Sequence, residues 1–150
     1  MEVAALAPIN GWGLARRLGV ALLVGAVVGL ERETQGKSAG LRTYMLVSLG
    51  TAFFILVPIQ LGVVYQSADA FSRIIQGIVS GIGFIGGGVI LHRFRQGTQD
   101  GVVRGLTSAA AIWMVAALGV AAGCGLWVMA LVGSGLTLFI LRVLRQVEPR

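Results

Sequence analysis

Long uncharged, mainly apolar runs alternate with short polar segments along the whole chain. Since an α-helix needs about 20 mainly apolar residues to cross the hydrocarbon core of a bilayer, these runs predict membrane-spanning helices. The predicted spans are residues 14–30, 44–64, 74–91, 106–122 and 125–144. Pro58 should kink or end the second helix, because proline lacks an amide donor and clashes with the preceding turn. The expected fold class is all-α, a polytopic transmembrane helical bundle of about five spans.

Composition agrees with a bilayer as the solvent. The chain has 150 residues, of which 56% are hydrophobic and 12% charged, and its mean hydropathy is +0.87. A water-soluble globular domain carries about twice that share of charged residues. A transmembrane β-barrel would need short alternating segments, whereas residues 45–59 form one uncharged run. We expect an extracytoplasmic N-terminal segment (1–13), a transmembrane domain (14–145) and a short cytoplasmic tail (146–150).

The net charge of +6 arises from basic residues at the ends of the apolar runs. Membrane topology explains this placement better than nucleic-acid binding, so no nucleic-acid partner is expected. One predicted side of the membrane holds most of the basic residues: Arg32, Lys37, Arg42, Arg93, Arg95, Arg104, Arg142, Arg145 and Arg150. The other holds Arg16, Arg17 and Arg73. Because positive charges resist translocation, the N-terminus is predicted outside and the C-terminus in the cytoplasm.

Small residues recur at four-residue spacing in two of the predicted helices. In a bilayer such residues let helix backbones approach closely, which supplies the contacts that hold a bundle together. The predicted helix-packing glycines are Gly25, Gly29, Gly77, Gly81, Gly83 and Gly87. Residues 81–86 also match G-x-G-x-x-G, but no strand precedes this run, so a dinucleotide site is not expected.

The uncharged part of the first predicted span contains only the residues between Arg17 and Glu31, so it is short for a membrane crossing. Glu31 is therefore a candidate buried acid. On the predicted topology, polar residues of several spans meet at one cytoplasmic rim. The candidate functional residues of this rim are Glu31, Arg32, Glu33, Arg42, Thr43, Asp100, Arg104 and Thr107. They could fix the helix ends through charge-assisted hydrogen bonds, or bind an anionic group. Basic residues outnumber acidic residues at this rim, which disfavours a magnesium site. The carboxylates of the rim could nevertheless supply one or two oxygen ligands to magnesium.

Catalytic constellations are not evident in the sequence. No Ser or Cys nucleophile has a His close in sequence, and no phosphate-binding loop ends in Gly-Lys-Ser or Gly-Lys-Thr. Cys124 is the only cysteine, so no internal disulfide or cysteine cluster is possible, and we interpret it as a helix-packing residue. We expect no enzyme activity and no cofactor.

Several motifs occur together and in order. Gly29-Leu30-Glu31-Arg32-Glu33 is followed by the run from Lys37 to Thr43, by Gly81-Ile82-Gly83-Phe84-Ile85-Gly86 and by Gly105-Leu106-Thr107, then by Ala109-Ala110, Trp113 and Ala116-Ala117-Leu118-Gly119. This order resembles the MgtC/SapB family of bacterial membrane proteins over nearly the whole chain. The departures are Tyr44, where many members have His, Ser108, where a second Thr is common, and Trp127, where Tyr is frequent.

The resemblance implies a bacterial inner-membrane protein linked to growth under magnesium limitation. Some members of the family are virulence factors that restrain the rotary ATP synthase. Longer members carry a cytoplasmic domain after the membrane part, and the resemblance here covers the membrane part only. The positions that match the family motif are Glu31, Arg32, Arg42, Thr43, Arg104 and Thr107.

Three hypotheses follow for the function. The leading one is a regulatory protein that binds another membrane protein, such as a transporter or the rotary ATP synthase. The alternative is a small oligomeric transporter or channel for an ion such as magnesium, with Glu31 as its intramembrane acid. A third is a scaffold that binds anionic lipid through the cytoplasmic rim. A homo-oligomer, either a dimer or a larger assembly, is expected.

Overall fold

The computed structural model describes residues 9–65, 67–95 and 105–144. These residues form five α-helices, α1 (Gly11–Thr34), α2 (Leu41–Gln60), α3 (Ala68–Arg95), α4 (Leu106–Gly123) and α5 (Trp127–Val143), and a short 3-10 turn at Val63–Tyr65. The first four helices are long and apolar enough to cross a membrane, and α5 is a shorter apolar helix. The prediction of an all-α, multi-pass helical bundle is confirmed.

Helix α1 is longer than its apolar run. Asn10 caps its start, since the side-chain oxygen accepts from the amide of Gly13 at 2.7 Å. At its other end the helix continues past Glu31 and Arg32, where the predicted span had stopped. Both side chains are buried inside the bundle, so their charges do not mark the membrane boundary.

The ends of α2 follow from local chemistry. A carboxylate oxygen of Glu33 accepts from the amide of Leu41 at 2.7 Å, which satisfies a free donor at the start of the helix. Pro58 lies in the last turn, and the helix ends at Gln60, as the sequence predicts. The turn between α4 and α5 contains Gly125 at a φ of 79°, a backbone conformation that glycine adopts without strain.

Helices α1, α2 and α4 contact one another, and α4 contacts all four other helices. The fully buried side chains at this centre include Val28, Ile55, Ile112 and Val115. Helix α5 packs on α1 and α4, whereas α3 packs mainly on α4 and meets α2 only slightly. The core therefore consists of α1, α2 and α4, with α3 attached at one side.

Glycines bring the backbones of the core helices together. A Cβ atom at Gly25 would lie 2.8 Å from the carbonyl oxygen of Tyr44, and one at Gly29 would lie 2.9 Å from the Cα of Leu41. These are the close contacts expected of helix-packing glycines. Gly119 of α4 contacts α2 farther along the same face, against the Ser48 carbonyl. This contact was not predicted from the sequence.

The predicted packing glycines of α3 make no such close contact within the described part of this chain. A Cβ atom at Gly77, Gly81, Gly83 or Gly87 would meet no atom within 4 Å. Helix α3 packs through a neighbouring face instead, on which Ile78 and Ile82 are buried. Four-residue spacing identifies a ridge of small residues, but it does not say whether a neighbouring helix lies on it.

Gly119→Ala should lower the free energy of unfolding by about 1–3 kcal/mol, because the added methyl group would meet the backbone of α2 and force α2 and α4 apart. The measurement is thermal unfolding of the purified protein in detergent micelles. Gly135→Ala on α5 is the matched control, since a Cβ atom there meets nothing within 4 Å. Equal melting temperatures for the two variants would contradict the close approach of α2 and α4.

Candidate functional site

A buried polar centre lies at the end of the bundle where α1 ends and α2 and α4 begin. Glu31 is 2% exposed and Arg32 is 3% exposed. Arg32 Nη2 donates a hydrogen bond to Ser108 Oγ at 3.1 Å, and the Tyr44 hydroxyl donates to the Ser108 carbonyl at 3.2 Å. Three helices therefore meet through these four residues, which are distant in sequence.

The charges of Glu31 and Arg32 compensate each other, but their hydrogen-bonding groups are only partly satisfied. Arg32 Nη1 lies 3.6 Å from Glu31 Oε2, close enough for an ion pair. Both carboxylate oxygens of Glu31 and the Nε of Arg32 are buried without a hydrogen-bond partner. Removing either charge would leave the other uncompensated in a medium of low polarity. The open oxygens of Glu31 can accept hydrogen bonds from water or from a bound ligand.

Helix α2 continues the polar centre toward the middle of the bundle. Tyr44, Ser48 and Thr51 are buried on one helix face, at spacings of four and three residues. Thr51 Oγ1 lies 3.0 Å from the carbonyl oxygen of Ala116 on α4, to which it donates. This line of residues was not predicted from the sequence. The available signal was the helical spacing of polar residues within an uncharged run, since such residues face the bundle interior.

The other predicted rim residues lie at the same end but outside the buried centre. Glu33 is exposed and caps α2. Arg42 and Thr107 are exposed and Thr43 is half-buried, each in the first turn of its helix. Asp100 and Arg104 lie outside the described residues. The structure thus brings Glu31 and Arg32 together with Tyr44 and Ser108, and the functional role of all the rim residues stays a prediction.

The geometry disfavours a divalent cation at this centre. Among residues 9–65, 67–95 and 105–144, no group of three His, Cys, Asp or Glu side chains could hold a metal ion. A magnesium site usually combines one or two carboxylates with several waters, and the guanidinium of Arg32 would repel the ion. The hydrogen bonds of Glu33 and Arg32 instead tie helix ends to one another.

Arginine also connects the helices at the opposite end of the bundle. Arg17 Nη1 donates to the Gly123 carbonyl oxygen at 2.8 Å and so satisfies an acceptor at the end of α4. The guanidinium of Arg16 lies 5.4 Å from the ring centroid of Trp127. Burial raises the pKa of the Cys124 thiol in the turn after α4, which agrees with the predicted packing role of this residue.

The fold and the centre define a multi-pass helical membrane protein with a buried glutamate–arginine pair at one end of its bundle. The MgtC family model matches residues 18–150. The chain belongs to the MgtC family, as the motifs of the sequence predicted.

Three relatives illustrate the range of the family. SrpB of Synechococcus elongatus is 44% identical over 146 residues, which cover 94% of this chain and 80% of SrpB. The protein named "Putative magnesium transporter YhiD" of Escherichia coli K12 is 38% identical over 143 residues, 89% of this chain and 61% of YhiD. MgtC of Salmonella typhimurium LT2 is 42% identical over 130 residues, 87% of this chain and 52% of MgtC. No solved structure matches the chain.

Glu31→Gln should lower the free energy of unfolding by roughly 3–5 kcal/mol, because it leaves the buried Arg32 without a compensating charge. Urea or thermal unfolding in micelles measures the change. Glu33→Gln is the matched control on the same helix, since the exposed amide oxygen can still accept from the Leu41 amide. Equal stability of Glu31→Gln and Glu33→Gln would contradict the ion pair of Glu31 with Arg32.

Proposed function

We propose that this protein is a regulatory membrane protein, not an enzyme, that acts in adaptation to low magnesium by binding another membrane protein in the bacterial inner membrane. Membership of the MgtC family supports the link to magnesium. The observation that carries the binding role is the open face of α3. A transporter or the rotary ATP synthase is the kind of partner that the family resemblance implies.

Helix α3 is apolar but poorly covered by its own chain. Only 17% of the residues in its apolar window are buried, compared with 56% for α4. Gly77 and Gly81 border an open groove of about 820 Å³, which Phe54 and Pro58 of α2 line on the other side. Small residues on an open ridge allow the backbone of a second helix to approach closely. A transmembrane helix of a partner protein would fit this surface.

The proposed orientation places the N-terminus outside and the C-terminus in the cytoplasm. The excess of basic residues at the connections after α1 and α3 and beyond α5 supports it. The polar centre would then lie at the cytoplasmic end of the bundle, and the Arg16–Trp127 contact at the outer end.

The Gly81→Leu variant should fold but should no longer support growth of the bacterium in low-magnesium medium. The leucine side chain has room at this position, because a Cβ atom there meets nothing within 4 Å, but it would keep a partner helix at a distance. Complementation of a strain that lacks the gene measures growth, and immunoblotting of membranes measures the amount of protein. Gly135→Leu, an equally open position on α5, should grow like the unmodified protein.

A photo-crosslinking residue at position 77 identifies what lies on this face. The proposal expects an adduct with a different membrane protein that Gly81→Leu removes. An adduct only with a second copy of this chain would make α3 a homo-oligomer interface. Growth of Gly81→Leu equal to that of Gly135→Leu would contradict the proposed role of the α3 face.

Magnesium transport is the second candidate function. The two open carboxylate oxygens of Glu31 favour it, together with the buried hydroxyl of Ser48, which also lacks a hydrogen-bond partner. The name of the relative YhiD points in the same direction. The positive charge of Arg32, 3.6 Å from Glu31, opposes it. We rank transport second because a divalent cation at Glu31 would be repelled by this neighbour.

Proteoliposomes that contain the purified protein should show no saturable magnesium uptake above that of empty vesicles. A magnesium-sensitive dye inside the vesicles measures the uptake. Saturable uptake that is lost in Glu31→Gln and lowered in Ser48→Ala would overturn this expectation. Ser48→Ala removes a hydroxyl without a hydrogen-bond partner, so it tests the path along α2 in a protein that keeps its fold.

A further inference from the structure

The outer surface of α1 and the start of α5 form a small amphipathic groove. Arg16 is exposed, and its guanidinium lies 5.4 Å from the ring centroid of Trp127, the first residue of α5. Arginine and tryptophan side chains at helix ends are typical of the level at which the hydrocarbon core meets the lipid headgroups. This contact therefore marks one membrane surface.

From Arg16 the groove runs toward the middle of the membrane and is lined there by apolar residues. The groove has a volume of about 350 Å³ and is lined by Arg16, Gly19, Val20, Leu23 and Trp127. The α1 residues among these share one helix face, because they are three, four and seven positions apart. A Cβ atom at Gly19 would meet nothing within 4 Å, so this glycine leaves the floor of the groove open. The guanidinium of Arg16 thus lies at one end of the groove, and the rest of the groove is mainly apolar.

Arg16 and Arg17 are adjacent in sequence but make different contacts. Arg17 donates to the Gly123 carbonyl oxygen inside the bundle. Arg16 is exposed. The ion pair of Arg32 with Glu31 lies at the other end of the bundle. At 5.4 Å from the ring centroid of Trp127, the Arg16 guanidinium is within cation–π range of the ring, and its five N–H donors are more than the ring contact can occupy. Arg16 can therefore bind an anion at the membrane surface.

We propose that this groove binds one phospholipid. The Arg16 guanidinium donates hydrogen bonds to the phosphodiester oxygens of the headgroup, and an acyl chain lies along Gly19 and Leu23. The ligand is a lipid rather than free phosphate, because the groove below the arginine is apolar and would bury a hydrocarbon chain. This site lies at the end of the bundle opposite to the Glu31–Arg32 centre.

Quenching of Trp127 fluorescence by brominated acyl chains tests the site. The variant Trp12→Phe/Trp113→Phe leaves Trp127 as the single tryptophan, and both replaced side chains are at least half exposed, so the fold should be kept. The purified protein in detergent micelles is titrated with brominated phosphatidylglycerol. Quenching should saturate, and Arg16→Gln and Gly19→Leu should each raise the midpoint about fivefold or more.

Matched controls separate this site from ordinary contact with lipid. Arg142→Gln removes an exposed arginine elsewhere, and Gly135→Leu fills an open glycine position on α5, so both should leave the midpoint unchanged. A midpoint that is the same for Arg16→Gln and Arg142→Gln, or quenching that rises linearly with lipid, would overturn the proposal. Displacement by millimolar inorganic phosphate, with no effect of Gly19→Leu, would instead show a simple anion site and also refute it.

Discussion

The close approach of α2 to α1, and of α4 to α2 farther along the same face of α2, is the constraint on which the rest of the structure depends. Lipid gives helices no hydrophobic reason to associate, so dispersion contacts between nearby backbones must supply the attraction. Gly25 and Gly29 provide this approach from α1, and Gly119 and Gly123 provide it from α4. Because α1, α2 and α4 all contact one another closely, α3 and α5 need only pack on the outside of α4 and α1.

The same approach creates the buried polar centre. Gly25, Gly29 and Arg32 follow one another at helical spacing on α1, so the ridge that contacts α2 leads directly to the arginine. A larger side chain at Gly29 would move α1 away from α2 and would separate Arg32 from Ser108, to which it donates. Stability and the geometry of the centre therefore share one structural cause.

The alternation of apolar runs and polar segments predicted the five helices, and the four-residue spacing of small residues predicted the contacts of Gly25 and Gly29. Both patterns are visible in the local sequence. The extent of α1 was not predictable in this way. Charged residues usually mark the end of a span, and only the tertiary partner of Arg32 explains why α1 continues through it. The open ridge of Gly77 and Gly81 has the same spacing as the packed one, so the difference between them lies in topology.

Two arginines of α1 connect it to both ends of α4, and this arrangement explains why α3 is the element left for a partner. Arg32 donates to Ser108 at the start of α4, and Arg17 donates to the carbonyl of Gly123 at its end. The two antiparallel helices are thus joined at both ends with α2 packed against them, which fixes the core. Helix α3 has few buried residues and no described hydrogen bond of this kind to the core. An element with so little buried surface can change its packing at a low free-energy cost, and a second helix on its open ridge would bury it.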